Sequence, residues 1–232
     1  MVEIKGLEKF APKDFPGHIS STFFVGGCNF RCPFCHNSQL VLEPENLPSF
    51  PMDYALSYLD SRKGWLEGVC VTGGEPLIHE ELDVLLQIIK DREFLVKIDT
   101  NGAFPDRLRE LIENELVDHV AIDIKTSPKK YAEAVKVPVD FGLIEESVSL
   151  VVASGLDHTI RTTAVPTLVD TAEIEEIGGL FKDVRTFQLQ QYFPDGALDP
   201  EFRKLVPYPS EKISELGKGA ESFFPEVRIE GI

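Results

Sequence analysis

The sequence predicts an α/β fold built on a parallel sheet, either open or rolled into a barrel. Three observations carry this expectation. Short β-branched and aromatic runs alternate with segments whose apolar residues recur at helical spacing, the order that packs helices over parallel strands. The 232 residues are 43% hydrophobic and 27% charged, enough for one substantial core, with neither a repeat nor a low-complexity linker. Every unusual polar cluster also follows directly on a strand, the end where such folds keep their active sites. A single domain over 1–232 is expected, with a lead-in over 1–18, a core over 19–190 and a C-terminal extension over 191–232.

Taken in order, Ile19 to Val25 is a β-branched and aromatic run that ends at Gly26-Gly27. Pro51 to Arg62 reads as a helix, since Met52, Leu56 and Leu59 share one side and Pro51 suits a first turn. Val69 to Thr72 is a short apolar strand running into Gly73-Gly74-Glu75-Pro76. Leu82, Leu85, Leu86 and Ile89 place a helix at about Glu80 to Lys90. Phe94 to Ile98 is the next strand and leads into Asp99-Thr100-Asn101-Gly102. A helix over Arg107 to Asn114 precedes the strand Val117 to Ile122, which ends at Asp123-Ile124-Lys125. Gly142 to Ser154 is helical, and Thr159 to Ala164 is a strand carrying Arg161. Thr171 to Phe181 is a helix, Thr186 to Gln190 a sixth strand, and alternation sends Gln188 and Gln190 to one face. Four prolines between Pro194 and Pro209 break up the tail before a last helix and the strand Val227 to Ile229.

Charge and leader signals narrow the setting. Lys and Arg total 23 against 39 Asp and Glu, a formal charge of -16, which argues against nucleic acid or an anionic membrane as the main partner. A partner with a basic docking face is compatible with such a surface, although simple solubility explains it as well. Met-Val-Glu-Ile-Lys-Gly has no basic and apolar leader, and no apolar run reaches the roughly 20 residues of a bilayer span. A reducing cytoplasm is the expected location for its unpaired cysteines.

The chemistry starts at Cys28-Asn-Phe-Arg-Cys32-Pro-Phe-Cys35, three cysteines spaced C-x3-C-x2-C just after a strand. Three thiolates can hold three irons of a cubane cluster and leave the fourth without a protein ligand. A structural metal site closes its coordination shell, whereas an open position is a mark of chemistry. The fourth cysteine, Cys70, lies in an apolar strand and reads as a small core hydrophobe. His18, His79, His119 and His158 share no metal-ligand spacing and read as surface or turn residues. Taken alone, Asp99 and Asp123 would be ordinary loop or turn caps.

The cysteine spacing, the aromatic Phe34 before the last cysteine and the Gly-Gly-Glu-Pro at the end of the next strand resemble the radical S-adenosylmethionine (SAM) superfamily. The resemblance implies a partial (β/α)6 barrel with a [4Fe-4S] cluster on Cys28, Cys32 and Cys35. It also implies that SAM chelates the open iron through its amino and carboxylate groups, with Phe34 beside the cofactor. Gly73 and Gly74 would let the backbone approach the methionine amino group, and Glu75 offers an acceptor for an ammonium. Asp99-Thr100-Asn101 and Asp123-Ile124-Lys125 are similar to segments that surround SAM and a monovalent cation in pyruvate formate-lyase activating enzyme. An alkali ion between Asp99 and Asp123 is therefore a candidate cofactor, and Lys125 a second countercharge for the SAM carboxylate. Arg161, on the next strand, would face the same site. His36 follows the cluster directly and has either a cofactor contact or a loop hydrogen bond. Phe193 stands where the lyase activator has a histidine.

Within the superfamily, Asp14-Phe-Pro-Gly-His-Ile and Cys32-Pro-Phe-Cys-His-Asn resemble activators of glycyl radical enzymes, those of the anaerobic ribonucleoside-triphosphate reductase most closely. With three thiols used and Cys70 in the core, no auxiliary cluster can be built. The expected activity is one-electron cleavage of SAM to methionine and a 5′-deoxyadenosyl radical, which takes a Cα hydrogen from a glycine of the partner enzyme. A donor such as flavodoxin or ferredoxin would supply the electron, and no side chain need act as acid or base. Two other classes stay open: a radical SAM enzyme acting on a small molecule or cofactor precursor, and a non-catalytic zinc or electron-transfer module. The second leaves Gly73 to Pro76 without a role.

Overall fold

The computed structural model describes residues 2–232. Eight strands alternate with helices: β1 (Ile4–Glu8), β2 (Ser20–Val25), α1 (Ser38–Leu42), α2 (Met52–Ser61), β3 (Gly68–Gly73), α3 (Leu82–Lys90), β4 (Leu95–Thr100) and α4 (Pro105–Glu113), followed by β5 (His119–Asp123), α5 (Tyr131–Val135), α6 (Phe141–Ser154), β6 (Asp157–Ala164), α7 (Thr171–Leu180), β7 (Thr186–Gln191), α8 (Ser210–Ala220) and β8 (Glu226–Glu230). In the sheet the strands keep their chain order. The alternating pattern thus yields the expected α/β class, with each anticipated element present to within a few residues. The short strand β1 and the short helices α1 and α5 are additions to it.

The residues form two compact units. The first comprises 2–29, 39–100 and 104–120. Here β2 pairs with β3 and β3 with β4, both in parallel, while β1 runs antiparallel to β2 with an irregularity between Ile4 and Gly6. Val69, Cys70, Val71, Val96 and Ile98 are fully buried, and Leu82, Leu85, Leu86 and Ile89 of α3 are too. Burying each such side chain contributes about 1.5–3 kcal/mol, so the 3.6-residue apolar stripe of α3 is what holds it in place. The opposite face of α3 ends in Lys90, whose Nζ lies 2.8 Å from Asp118 ahead of β5.

The second unit comprises 30–38, 101–103 and 121–232. In it β6, β7 and β8 are parallel neighbours, with Arg161 opposite Gln188 and Gln188 opposite Arg228. Helix α6 starts where the Asp140 side chain accepts the Gly142 N–H and stops at Gly155, whose φ of 75° only glycine adopts without strain. A full capping box of Asp170 and Glu173 opens α7. Phe187 of β7 stacks on Phe224, with ring centroids 4.8 Å apart, and Tyr192 is buried at the end of the same strand. No helix among the described residues is long and apolar enough to cross a membrane.

Candidate active site

In the first unit, two strand-end loops are bound together through their backbones. Residues Val25 and Gly73, the last of β2 and β3, stand opposite each other in register. Beyond them the Gly74 N–H donates to the Val25 carbonyl at 2.8 Å and the Glu75 N–H to the Gly27 carbonyl at 2.8 Å. The Gly27 N–H in turn donates to the Leu40 carbonyl at 2.7 Å, which ties α1 to the residue before Cys28. A methyl group on Gly74 would sit 1.8 Å from the Gly27 carbonyl oxygen, and Gly73 has φ 113° with the Val25 oxygen 2.7 Å from where its Cβ would be. The two glycines were expected to admit a ligand; in this unit their bareness already admits the neighbouring loop. His79 is also part of this junction and no mere surface turn: its Nε2 lies 2.9 Å from the Gly26 carbonyl, and burial lowers its pKa, so the ring is a neutral donor at pH 7. A cleft of about 410 Å³ is lined by Gly26, Gly27, Ile78 and His79 together with Lys5 and Pro44.

Two carboxylates of this unit are engaged by neighbours. Glu75 is 1% exposed, and its Oε1 accepts from Thr100 Oγ1 at 2.7 Å and from the Leu77 N–H at 3.1 Å. It therefore caps the short turn at Pro76–Ile78 and fixes Thr100 at the end of β4. Asp99 forms an ion pair with Lys97, two residues earlier on the same strand. Lys97 Nζ also lies 3.6 Å from the Cys70 sulfur, so Cys70 is a core residue, as expected, with a charged neighbour. Cys28 Sγ lies 3.8 Å from Asn29 Oδ1. His119, expected at the surface or in a turn, is instead 6% exposed within β5, with Phe15 edge-on to its ring.

The second unit holds the other two cysteines and a cationic corner. The loop from Phe30 is pinned at three points: Arg31 N–H to the Val135 carbonyl (2.9 Å), Cys35 N–H to the Cys32 carbonyl (3.0 Å) and Asp199 N–H to the Pro33 carbonyl (2.9 Å). Cys32 is buried and Cys35 half-buried, with no disulfide at either, and Phe34 is buried against Phe202. Exposed His36 makes a loop contact, Nδ1 to the Asp195 carbonyl at 3.3 Å. Asp123 accepts from Arg161 Nε at 2.7 Å and from Lys125 Nζ at 3.0 Å. Burial alone would raise the Asp123 pKa, but these two cations hold it well below the usual carboxylate range. Lys125 is pushed up, against the pull of its own burial, by Asp123 and then by Cys32. Burial raises the Cys35 thiol, and Lys125 counters part of that rise. Ile124 is fully buried and donates its N–H to the Arg161 carbonyl. Asn101 accepts the Ala103 N–H on its own Oδ1, and the carbonyl of Gly102 (φ 76°) accepts from Ser147. These two shape a tight turn.

Each candidate residue is thus placed by a strand end or the loop after it, Arg161 alone lying within its strand. Lys97 and Tyr131 carry no reading from the sequence, and His79 reads there only as a surface or turn residue. Tyr131 is buried, its hydroxyl lies 3.4 Å from the Asp123 carbonyl, and burial raises its pKa. Parity offered a signal for Lys97, since residues two apart on a strand share a face and Asp99 was already singled out. The donor set suits an iron–sulfur cluster: Cys28, Cys32 and Cys35 are three thiols without a disulfide.

Comparison with known proteins agrees with this chemistry. The family model described as the radical SAM superfamily matches residues 22–181. A Methanocaldococcus jannaschii protein named "Putative glycyl-radical enzyme activating enzyme" is 34% identical over 99% of this chain and 96% of its own length. The pyruvate formate-lyase-activating enzyme of Clostridium pasteurianum is 27% identical, over 84% of this chain and 82% of its own. Among solved structures, SuiB of Streptococcus suis bound to its precursor peptide SuiA aligns with a TM-score of 0.69 at 17% identity. That match covers 88% of this chain and 47% of SuiB, and shows a shared fold.

Proposed function

The chain belongs to the radical SAM superfamily, and on that premise we propose that it activates a glycyl radical enzyme, the anaerobic ribonucleotide reductase being the favoured partner. When bound, a [4Fe-4S] cluster and SAM supply one-electron cleavage of the sulfonium to methionine and a 5′-deoxyadenosyl radical, which abstracts the partner glycine's Cα hydrogen. The observation that carries the reading is the cysteine triad of Cys28, Cys32 and Cys35 together with the Gly73-Gly74-Glu75 turn, in a chain whose full-length relative bears an activator's name.

The protein's own work is placement. Cys28 follows a backbone fixed by Glu75 and Leu40, and the Cys32 carbonyl accepts the Cys35 N–H, which sets the turn between those two thiols. Asp123 stays anionic with two cations on it, and Lys125 and Arg161 provide positive charge suited to the SAM carboxylate. Phe34 contributes an apolar wall, and a wall without water preserves a reactive radical. None of these groups is asked to carry a proton in the reaction.

Anaerobic protein with reconstituted cluster, SAM, reduced flavodoxin and the reductase from the same source tests this. A glycyl radical signal by electron paramagnetic resonance on the reductase is the expected result. Formation of 5′-deoxyadenosine with no such signal on any glycyl radical enzyme offered would transfer the assignment to a small-molecule substrate.

A further inference from the structure

We propose that Lys97 is a built-in countercharge for Asp99, and that SAM binding by this chain is consequently independent of alkali metal ions. The inference rests on the functional reading above and concerns residues of the first unit alone. Lys97 lies in the middle of β4, and strand alternation puts its side chain on the same face as Asp99. Its side chain is 3% exposed and that of Asp99 11%, and the two form an ion pair. An ammonium removed so far from water is costly to hold without an anion, and Asp99 supplies one on the same face of the strand.

A primary ammonium resembles a small alkali ion: a compact single charge that directs three donors at oxygen ligands. Being part of the chain, it is present at Asp99 at a fixed high effective concentration, whereas a dissolved ion would have to displace it. Cys70, opposite Lys97 in register, places its sulfur 3.6 Å from the same nitrogen. The alkali ion that the Asp-Thr-Asn-Gly resemblance suggested therefore has a competitor at Asp99 that cannot diffuse off. Lys97 acts here as a positioning residue: it holds Asp99 charged and in place and need not touch the reacting atoms.

The test is the affinity of the cluster-loaded, unreduced protein for SAM, by calorimetry, in potassium, sodium or tetramethylammonium chloride at one ionic strength. For the wild type the dissociation constants should agree within about twofold. Lys97→Met should bind about tenfold or more weakly in tetramethylammonium and recover most of that loss in potassium or sodium. Adding Asp99→Asn to Lys97→Met should abolish the ion response, which a merely structural lysine would not predict. A wild-type affinity that rises about tenfold with an alkali ion would overturn the proposal, as would Lys97→Met binding like wild type without one. If Lys97→Met does not fold, the wild-type series decides alone. Failure to bind SAM in all three salts would overturn the functional reading itself, and this inference with it.

Discussion

Gly74 leaves no room for a single carbon, because the obstruction is the Gly27 carbonyl, backbone that leads straight into Cys28. Gly74→Ala should therefore cost about 3 kcal/mol or more and lower iron content after reconstitution, read by thermal unfolding and by metal analysis. Unchanged stability would mean that the two loops can part without consequence. Asp123 answers a different question. Its depressed pKa makes its contribution to stability complete above the ordinary carboxylate range, about pH 4, and lost as pH falls through the native value. Lys125, raised, contributes fully below the ordinary lysine range and loses that contribution only as pH climbs through its native value. Wild-type stability should thus owe nothing to this cluster's titration between about pH 5 and 9. Asp123→Asn should lose about 2–4 kcal/mol across that window, as urea unfolding at several pH values would show. The individual residues were unevenly legible. Cysteines, glycines and acids at strand ends announce themselves by type and place; Lys97 was legible only through strand parity with Asp99, and His79 acquires meaning from Gly26, a partner that sequence distance conceals.

Helices and strands were more readable, because amphipathic spacing and burial are two views of one fact. The Leu and Ile positions of α3 were read from periodicity and are buried. Strand β1 was missed for a physical reason: Ile-Lys-Gly-Leu-Glu has a glycine at its centre and two charges, so nothing in it alternates cleanly. It is a strand because β2 offers it an antiparallel edge, and Gly6 lets the Phe24 ring approach within 3.2 Å of where a Cβ would be. Short α1 and α5 depend likewise on tertiary contacts, Leu40 accepting from Gly27 and Val135 from Arg31. Helix α7 carries its own start signal, and Asp170→Ala should cost about 1 kcal/mol in urea unfolding through loss of the capping box. A change below a few tenths of a kcal/mol would show that α7 is held by packing alone.

For the molecule as a whole, 39 acidic against 23 basic residues is the dominant fact. Self-repulsion at a formal charge of -16 should be relieved by screening, so the melting temperature should rise between about 10 and 150 mM salt. A fall or no change would place the acidic groups too far apart to repel. The same chain concentrates its cations where acids need them, with Lys125 and Arg161 on Asp123 and Lys97 on Asp99. The central claim is that Cys28, Cys32 and Cys35 hold a cluster with one iron left for SAM. Its most direct test is product formation by the reduced, reconstituted protein: 5′-deoxyadenosine and methionine in equal amounts, and neither from Cys28→Ala, Cys32→Ala or Cys35→Ala. Cleavage that survives any of the three substitutions, or a colourless zinc protein that leaves SAM intact, would contradict it.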